Sequence, residues 1–134
     1  YLREWDKGQG FLSMTRKAPL NSSALCLLSA VEHSQKAVFT GGRILERAWL
    51  YVNSKQIAMQ PVSPSTFMFY RLVMNDPGLE GKFKDDMQIL NKEFKQILGL
   101  PESSNDLFLF RLFYAEEPEV KSYRYPLDDV LLIN

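Results

Sequence analysis

Two basic side chains near the carboxyl end of the sequence have a spacing that suits a small anion site. Lys121 and Arg124 stand three residues apart in "KSYRYPLDD". In an extended segment, the planar fork of arginine and the point charge of lysine can close around a phosphate group. A second interpretation stays open, in which both are solvated surface charges that balance nearby carboxylates, namely Glu117, Glu119, Asp128 and Asp129. The tail is therefore either a phosphate clamp or an ordinary charged surface.

A short segment with two prolines is the second place where the sequence suggests a ligand. Residues 41–64 read as a helix that runs into the apolar "QIAM" and then into "QPVSP". At such a junction, backbone polar atoms and Ser63 can meet the edge of a flat heteroaromatic ligand while apolar neighbours contact its face. The alternative is that Trp49, Tyr51 and Met59 are ordinary core residues and that Pro61 and Pro64 only end the elements around them.

The composition bounds the class of protein. A chain of 134 residues suits one compact domain with a real core. Lys plus Arg and Asp plus Glu both number 16, so no net charge draws the protein to nucleic acid or to an anionic membrane. There is neither a membrane-length apolar run nor a signal-peptide pattern, so we expect a cytoplasmic protein. Because the chain begins with Tyr1, we also expect it to be a piece of a longer polypeptide.

The only cysteine and the only histidine offer little for catalysis. Cys26 alone excludes an internal disulfide and a multi-cysteine zinc site, and it fits a reducing compartment. We therefore expect no metal site. Cys26 and His33 together would be the residue types of a nucleophilic pair, but residue type says nothing about geometry. The plainer interpretation is a buried thiol and a loop histidine.

The first half of the chain reads as lead-in, strand, helix and short strand. Residues 1–23 show no sustained period and read as irregular. "SALCLLSAV" (23–31) is a continuous apolar run that favours a buried strand. From about Ser34 the apolar residues repeat at helical spacing, for example at Ile44, Ala48 and Val52. The glycines 41 and 42 indicate either close backbone packing or a helix that begins near them.

The second half contains two predicted helices and the clearest strand. "SPSTFMFYRLV" begins with capping residues, and 79–98 carries apolar residues at helical steps, namely Phe83, Met87, Leu90, Phe94 and Ile97. Gly99 suits a C-terminal cap. "LFLFRLFY" (107–114) predicts a strand, in which Arg111 either pairs with an acid such as Glu116 or Glu117 or extends its stem to solvent. The order predicts an α+β fold with helices packed on a small, mostly antiparallel sheet.

The order of these segments also resembles a known family. "GRILERAWLYVNSKQIAMQPVS", the helix that follows, "LGLP", "LFLFRLFYAEEPEV" and "KSYRYPLDDVL" are similar to the carboxy-terminal half of the nitroreductase family of FMN-dependent oxidoreductases. The similarity is greatest to a divergent branch that is sometimes fused to ubiquitin-activating-like domains. It covers about residues 24–134, which we take as a nitroreductase-like domain preceded by the lead-in 1–23.

The resemblance implies a three-layer α+β flavoprotein that forms an intertwined homodimer with FMN at the subunit interface. A nicotinamide would reduce the flavin, which would then reduce nitroaromatic, quinone or related small-molecule acceptors. No catalytic side chain is required. Carried over by position, Lys121 and Arg124 match residues that hold the FMN phosphate, and Pro61, Val62 and Ser63 match the loop along the flavin ring.

The sequence also departs from the family pattern. The usual arginine- and serine-rich segment for the FMN phosphate and ribityl chain has no counterpart in 1–23. Pro64 stands where many members have a glycine whose N–H faces the flavin, Phe113 stands where a glycine often follows the strand arginine, and "NSKQI" replaces a glycine-leucine pair. Two explanations fit, a fragment of a longer flavoprotein or a non-catalytic interaction or structural domain that has lost its flavin. A chance α+β domain of another role is a third interpretation.

Overall fold

The computed structural model describes residues 9–62, 64–116 and 125–131, which form a mixed α+β structure. In chain order its elements are α1 (Gln9–Leu20), β1 (Ala24–Ala30), α2 (Gln35–Ser54), β2 (Ala58–Pro61), α3 (Pro64–Val73), α4 (Gly81–Ile97), β3 (Asn105–Phe113) and the single turn α5 (Leu127–Val130). The α+β class predicted from the sequence is confirmed.

The three strands form one antiparallel sheet with β3 in the middle. Strand β1 pairs with β3 from Ala24 opposite Leu112, and the register shifts between Leu28 and Ser29 at a β-bulge. Strand β2 pairs with the other edge of β3, and it ends at Pro61 opposite Phe110. A proline is tolerated there because it is the last residue of an edge strand. The long apolar segment predicted as a strand is therefore the central strand of the sheet.

Helix α2 begins at Gln35, so the earlier of the two predicted starts is the right one. The Ser34 hydroxyl accepts a hydrogen bond from the Ala37 N–H at 3.0 Å, which caps the first turn. Gly41 is buried, and a Cβ atom added to it would clash with the Leu107 side chain. Close packing against the sheet therefore requires that glycine, whereas Gly42 has open space beside it.

The expectation of irregular chain through residue 23 is wrong for Gln9–Leu20, which is helix α1. The prediction failed because Gly10 and Pro19 are local helix breakers. Pro19 lies one residue before the end of the helix, and Arg111 of β3 donates hydrogen bonds to carbonyl oxygens there. A tertiary contact thus supports a segment of weak local propensity. The division into a lead-in and a domain stays a prediction.

Helices α3 and α4 pack on each other, and α3 also packs on β3. The rings of Phe69 and Phe94 meet with centroids 5.3 Å apart. The buried apolar side chains among the described residues are Met59, Phe69, Leu72, Leu79 and Phe110. Helix α4 ends as predicted, because Gly99 adopts a φ of +64° and the Leu100 N–H donates to the Lys95 carbonyl at 2.9 Å.

Much of the apolar pattern of the helices is not covered. In α4, Phe83, Leu90 and Ile97 are exposed, although they belong to the helical apolar pattern. In α2, the exposed apolar side chains are Val38, Phe39, Ile44, Leu50 and Tyr51. Both helices thus have more apolar surface than the described part of the chain buries. Within that part, no helix combines the length and the apolar character needed to cross a membrane.

Candidate functional site

The two predicted regions are described to different extents. Lys121, Arg124 and Ser63 lie outside the described residues, so their predicted roles stay predictions. Pro61 and Val62 are described. Pro61 is exposed at the end of β2, and Val62 is partly buried in the short connection from β2 to α3.

The backbone N–H of Val62 is already hydrogen-bonded within the sheet, and Pro61 has no N–H to donate. The Val62 N–H donates to the Leu109 carbonyl at 2.8 Å, which continues the pairing of β2 with β3 by one residue. Pro61 and Pro64 have no N–H. Pro64 begins α3, where a proline suits the first turn. A ligand at this edge would therefore contact carbonyl oxygens and the proline rings.

A concave surface lies beside this segment, between the first turns of α2, the length of α3 as far as Met74, and the first residues of β3. It consists of two adjoining cavities of about 390 and 430 Å³. Both are lined by Val38, Tyr70 and Asn105, so they form one groove, which we name the α2–α3 groove. Its other apolar walls are Phe39, Phe67, Met74, Leu107 and Phe108. Thr66 and Phe67 place one end of the groove in the first turn of α3, next to the "QPVSP" segment.

A buried polar network lies below the groove. The Lys95 ammonium donates hydrogen bonds to the carbonyl oxygens of Glu102 and Ser104, both at 2.7 Å. Its Nζ atom is 3.9 Å from Oδ2 of Asp106, whose other carboxylate oxygen accepts a hydrogen bond from the Ser104 hydroxyl at 2.9 Å. The side chains of Lys95 and Asp106 are 5% and 3% exposed. Because the two charges neutralise each other, the floor of the groove carries no net charge.

Asn105 ties this network to the wall of the groove. It is 2% exposed, and its side-chain nitrogen donates to the Glu32 carbonyl at 3.3 Å, which fixes the connection between β1 and α2. His33 of that connection lines the groove. Between His33 and Lys95 is a small, partly open space of about 10 Å³, room for about one water molecule. Asn91 lines it, and its buried side-chain oxygen has no hydrogen-bond partner among the described residues.

Cys26 and His33 occupy different places. Cys26 is half-buried in the middle of β1 opposite Phe110, whereas His33 follows the end of that strand and faces the groove. Across 9–62, 64–116 and 125–131, no three acidic, histidine or cysteine side chains are grouped so that they could hold a metal ion.

Arg111 has hydrogen-bond partners that the sequence did not predict. Its guanidinium donates to the Gln60 side-chain oxygen at 2.7 Å and to the carbonyl oxygens of Ala18 and Asn21 at 2.9 and 3.3 Å. It also lies over the Phe113 ring, 4.1 Å from the centroid. Its hydrogen bonds therefore go to an amide and to the carbonyl end of α1, and not to Glu116. A cation at that end of a helix is favoured by the helix dipole.

Arg71 forms an ion pair with Asp76 in the turn after α3. The Arg71 guanidinium donates to both carboxylate oxygens of Asp76, at 2.9 and 3.2 Å, and the Gly78 N–H donates to the same carboxylate at 2.7 Å. These hydrogen bonds, with that from Arg71 first, hold the pKa of Asp76 below its usual value, and the pKa of Arg71 is raised by the same contact. Arg71 and Asp76 thus hold the turn between α3 and α4 together.

The sequence reasoning did not find the groove or the Lys95–Asp106 pair. Lys95 had a weak signal, because it follows Met87 and Asn91 at four-residue steps beside the apolar stripe of α4. The groove had none, because its walls come from three elements that are distant in sequence. Its aromatic walls and neutral floor suit a flat, uncharged ligand.

Comparison with known proteins adds little about activity. No protein-family model matches the sequence. The "Uncharacterized protein MT1398" of Mycobacterium tuberculosis (strain CDC 1551 / Oshkosh) is 25% identical over 123 residues, which cover 92% of this chain and 17% of that protein. The chain thus spans less than a fifth of this relative. No solved structure matches.

Proposed function

We propose that this chain is the carboxy-terminal half of a nitroreductase-type flavoprotein, which uses FMN to pass electrons from a reduced nicotinamide to a small-molecule acceptor. The proposal includes the nitroreductase-like fold and the binding of the FMN phosphate by Lys121 and Arg124. Pro61, Val62 and Ser63 would lie along the flavin ring. The flavin would supply the redox chemistry, and these residues would bind and orient it.

The backbone of Gln56 is the observation that carries the proposal. Family members often have a glycine-leucine pair after the helix that corresponds to α2, and this chain has "NSKQI" there. Gln56 adopts a φ of +57°, in the left-handed region that glycine enters at little cost. The next residue, Ile57, is apolar and partly buried. A left-handed backbone at this position is one that a glycine would also adopt, which supports the proposed resemblance.

The uncovered apolar surface supports a larger assembly. Exposed apolar side chains on α2 and α4, including Leu50, Tyr51 and Ile97, exceed the scattered exposure that is normal for a monomer. We propose that a second copy covers part of this surface, in the homodimer that the family resemblance implies. Light scattering on the purified chain is expected to give twice the monomer mass, and a clean monomer at micromolar concentration would contradict the dimer.

Titration with FMN, followed by flavin fluorescence, tests the flavin site. We expect saturable binding by the chain or, if the front half is needed, by the longer parent protein. Replacing Lys121 and Arg124 with alanine is expected to weaken binding by about 3 kcal/mol or more, because charge-assisted hydrogen bonds contribute roughly 1.5–3 kcal/mol each. The matched control removes two exposed lysines of α4, Lys82→Ala and Lys92→Ala, and leaves the affinity unchanged. Equal effects of the two double variants would remove the tail from the site.

A second candidate is a non-catalytic interaction or structural domain of the same fold. The hydrogen bond from the Val62 N–H to Leu109 favours it, since that donor is occupied and the prolines on either side of 62–63 have none. A titration in which neither the chain nor the longer parent binds FMN would make this the better explanation.

A further inference from the structure

We propose that the α2–α3 groove is a binding site for an uncharged, flat aromatic molecule, with walls that include neither Pro61 nor Val62. The proposal does not require FMN, so it goes beyond the flavoprotein function. It rests on the shape of the groove, on the aromatic side chains that line it and on the charge of its floor.

The size and walls of the groove indicate a small molecule. Each of its two cavities falls in the range of about 300–1,000 Å³ typical of ligand pockets. Phe39, Phe67 and Tyr70 remain 70%, 60% and 40% exposed although they line a concave surface. Aromatic rings gain most when they are covered by another flat apolar surface. A ring system that lies between α2 and α3 would cover all three.

The charged residues in and below the groove indicate what charge a ligand can carry there. No Lys or Arg occurs among the described residues that line the two cavities, and the one carboxylate, Asp106, is neutralised by Lys95. An anionic or cationic ligand would lose hydration there without gaining an opposite charge. A neutral ring with one polar edge avoids that cost, and Tyr70 lies at the junction of the two cavities to meet such an edge.

The direct test is equilibrium dialysis of the purified chain with 2-naphthol, with no flavin present. We expect saturable binding, and we expect the anionic analogue 2-naphthoate to bind about ten-fold more weakly. Val38→Trp fills the groove from α2 and is expected to weaken 2-naphthol binding at least about ten-fold. Arg47→Trp is the matched control, because it places the same ring at an exposed position of the same helix about 14 Å away and leaves binding unchanged.

A second variant distinguishes a loss of binding from a loss of folding. Phe67→Ala removes an exposed wall from α3, and we expect it to weaken 2-naphthol binding while the urea midpoint stays close to that of the parent chain. Absence of saturable binding, or equal binding by the Val38→Trp and Arg47→Trp variants, would overturn the proposal. So would a dimer that dissociates with Val38→Trp while 2-naphthol does not bind, because the groove would then be an interface between copies. The FMN titration is independent, so failure of the groove and failure of the flavin site are distinguishable.

Discussion

The two ends of strand β3 each hold a cation against backbone carbonyl oxygens, but they bury it to different degrees. At the amino end, Lys95 is 4% exposed and donates to the carbonyls of the loop that enters the strand. At the carboxyl end, Arg111 is only partly buried and donates to Ala18 and Asn21 of the α1 end while it stacks on Phe113. Hydrogen bonds from a cation to backbone carbonyl oxygens therefore have different structural roles at the two ends of β3. The buried cation is part of the core, whereas the half-exposed one attaches a peripheral helix.

The largest expected effect is the loss of the buried cation. Lys95→Met leaves Asp106 without its opposite charge and one buried and one partly buried carbonyl oxygen without a donor, so we expect a loss of about 3–5 kcal/mol in the free energy of unfolding. Urea denaturation measures it. The control is Lys92→Met on the same helix, whose ammonium lies 3.9 Å from an exposed Glu102 carboxylate and whose loss is expected to cost below about 0.5 kcal/mol. Similar losses for the two variants would contradict the role of burial.

The packing next to the amino end of β3 can be tested with two neighbouring glycines. Gly41→Ala pushes a methyl group against Leu107, whereas Gly42→Ala meets open space on the same helix. Gly42→Ala is expected to stabilise α2 by up to about 1 kcal/mol through helix propensity. Gly41→Ala is expected to be about 1–3 kcal/mol less stable than Gly42→Ala, because overpacking offsets that gain. Equal unfolding free energies would show that Leu107 moves aside at no cost.

At the carboxyl end, we expect Arg111→Met to cost about 1 kcal/mol, because the lost hydrogen bonds are partly exposed to water. The specific consequence is faster amide hydrogen exchange in α1 than in the parent chain, with β1 and β3 unchanged. Arg47→Met, which removes an exposed guanidinium from α2, is the control and leaves exchange in α1 as it was. If the amide hydrogens of α1 exchanged as slowly in the Arg111→Met variant as in the parent chain, Arg111 would not be the residue that attaches α1.

The smallest effect concerns the partly buried pair of Arg71 and Asp76. Because the folded-state pKa of Asp76 is lowered, its contribution to stability is fully present above the ordinary carboxyl pKa of about 4 and is lost as the pH falls through the lower folded value. Asp76→Asn is therefore expected to flatten the acid side of the stability curve, measured by urea midpoints against pH. Asp85→Asn, at an exposed position of α4, is the control. An unchanged acid slope in the Asp76 variant would show that the pair contributes nothing.

The fold was predictable where local signals were strong. Continuous apolar runs placed β1 and β3 correctly, the 3.6-residue period placed α2 and α4, and Gly99 marked the end of α4 as expected. Helix α1 was missed because its sequence contains local breakers and its support comes from Arg111, which is 93 positions from Ala18. Lys95 was missed because a lysine in the last turn of a helix is ordinarily solvated.

For the candidate site, residue types predicted that a short strand ends at the prolines, and β2 does end at Pro61, whereas Val62 was carried over from the family resemblance. The hydrogen bond from the Val62 N–H to Leu109 could not be predicted, since it depends on the register of β2 against β3. The α2–α3 groove could not be predicted from the sequence either, because Val38, Tyr70 and Asn105 come together only when three elements pack against one another.

By itself, the sequence determined the type and order of most elements, since backbone periodicity, caps and prolines act over a few neighbouring residues. Only the tertiary structure decided which apolar faces are covered, where Lys95 finds its acceptors and where a groove is left open. Those outcomes depend on the desolvation of groups that distant segments bring together, and no local pattern encodes that arrangement.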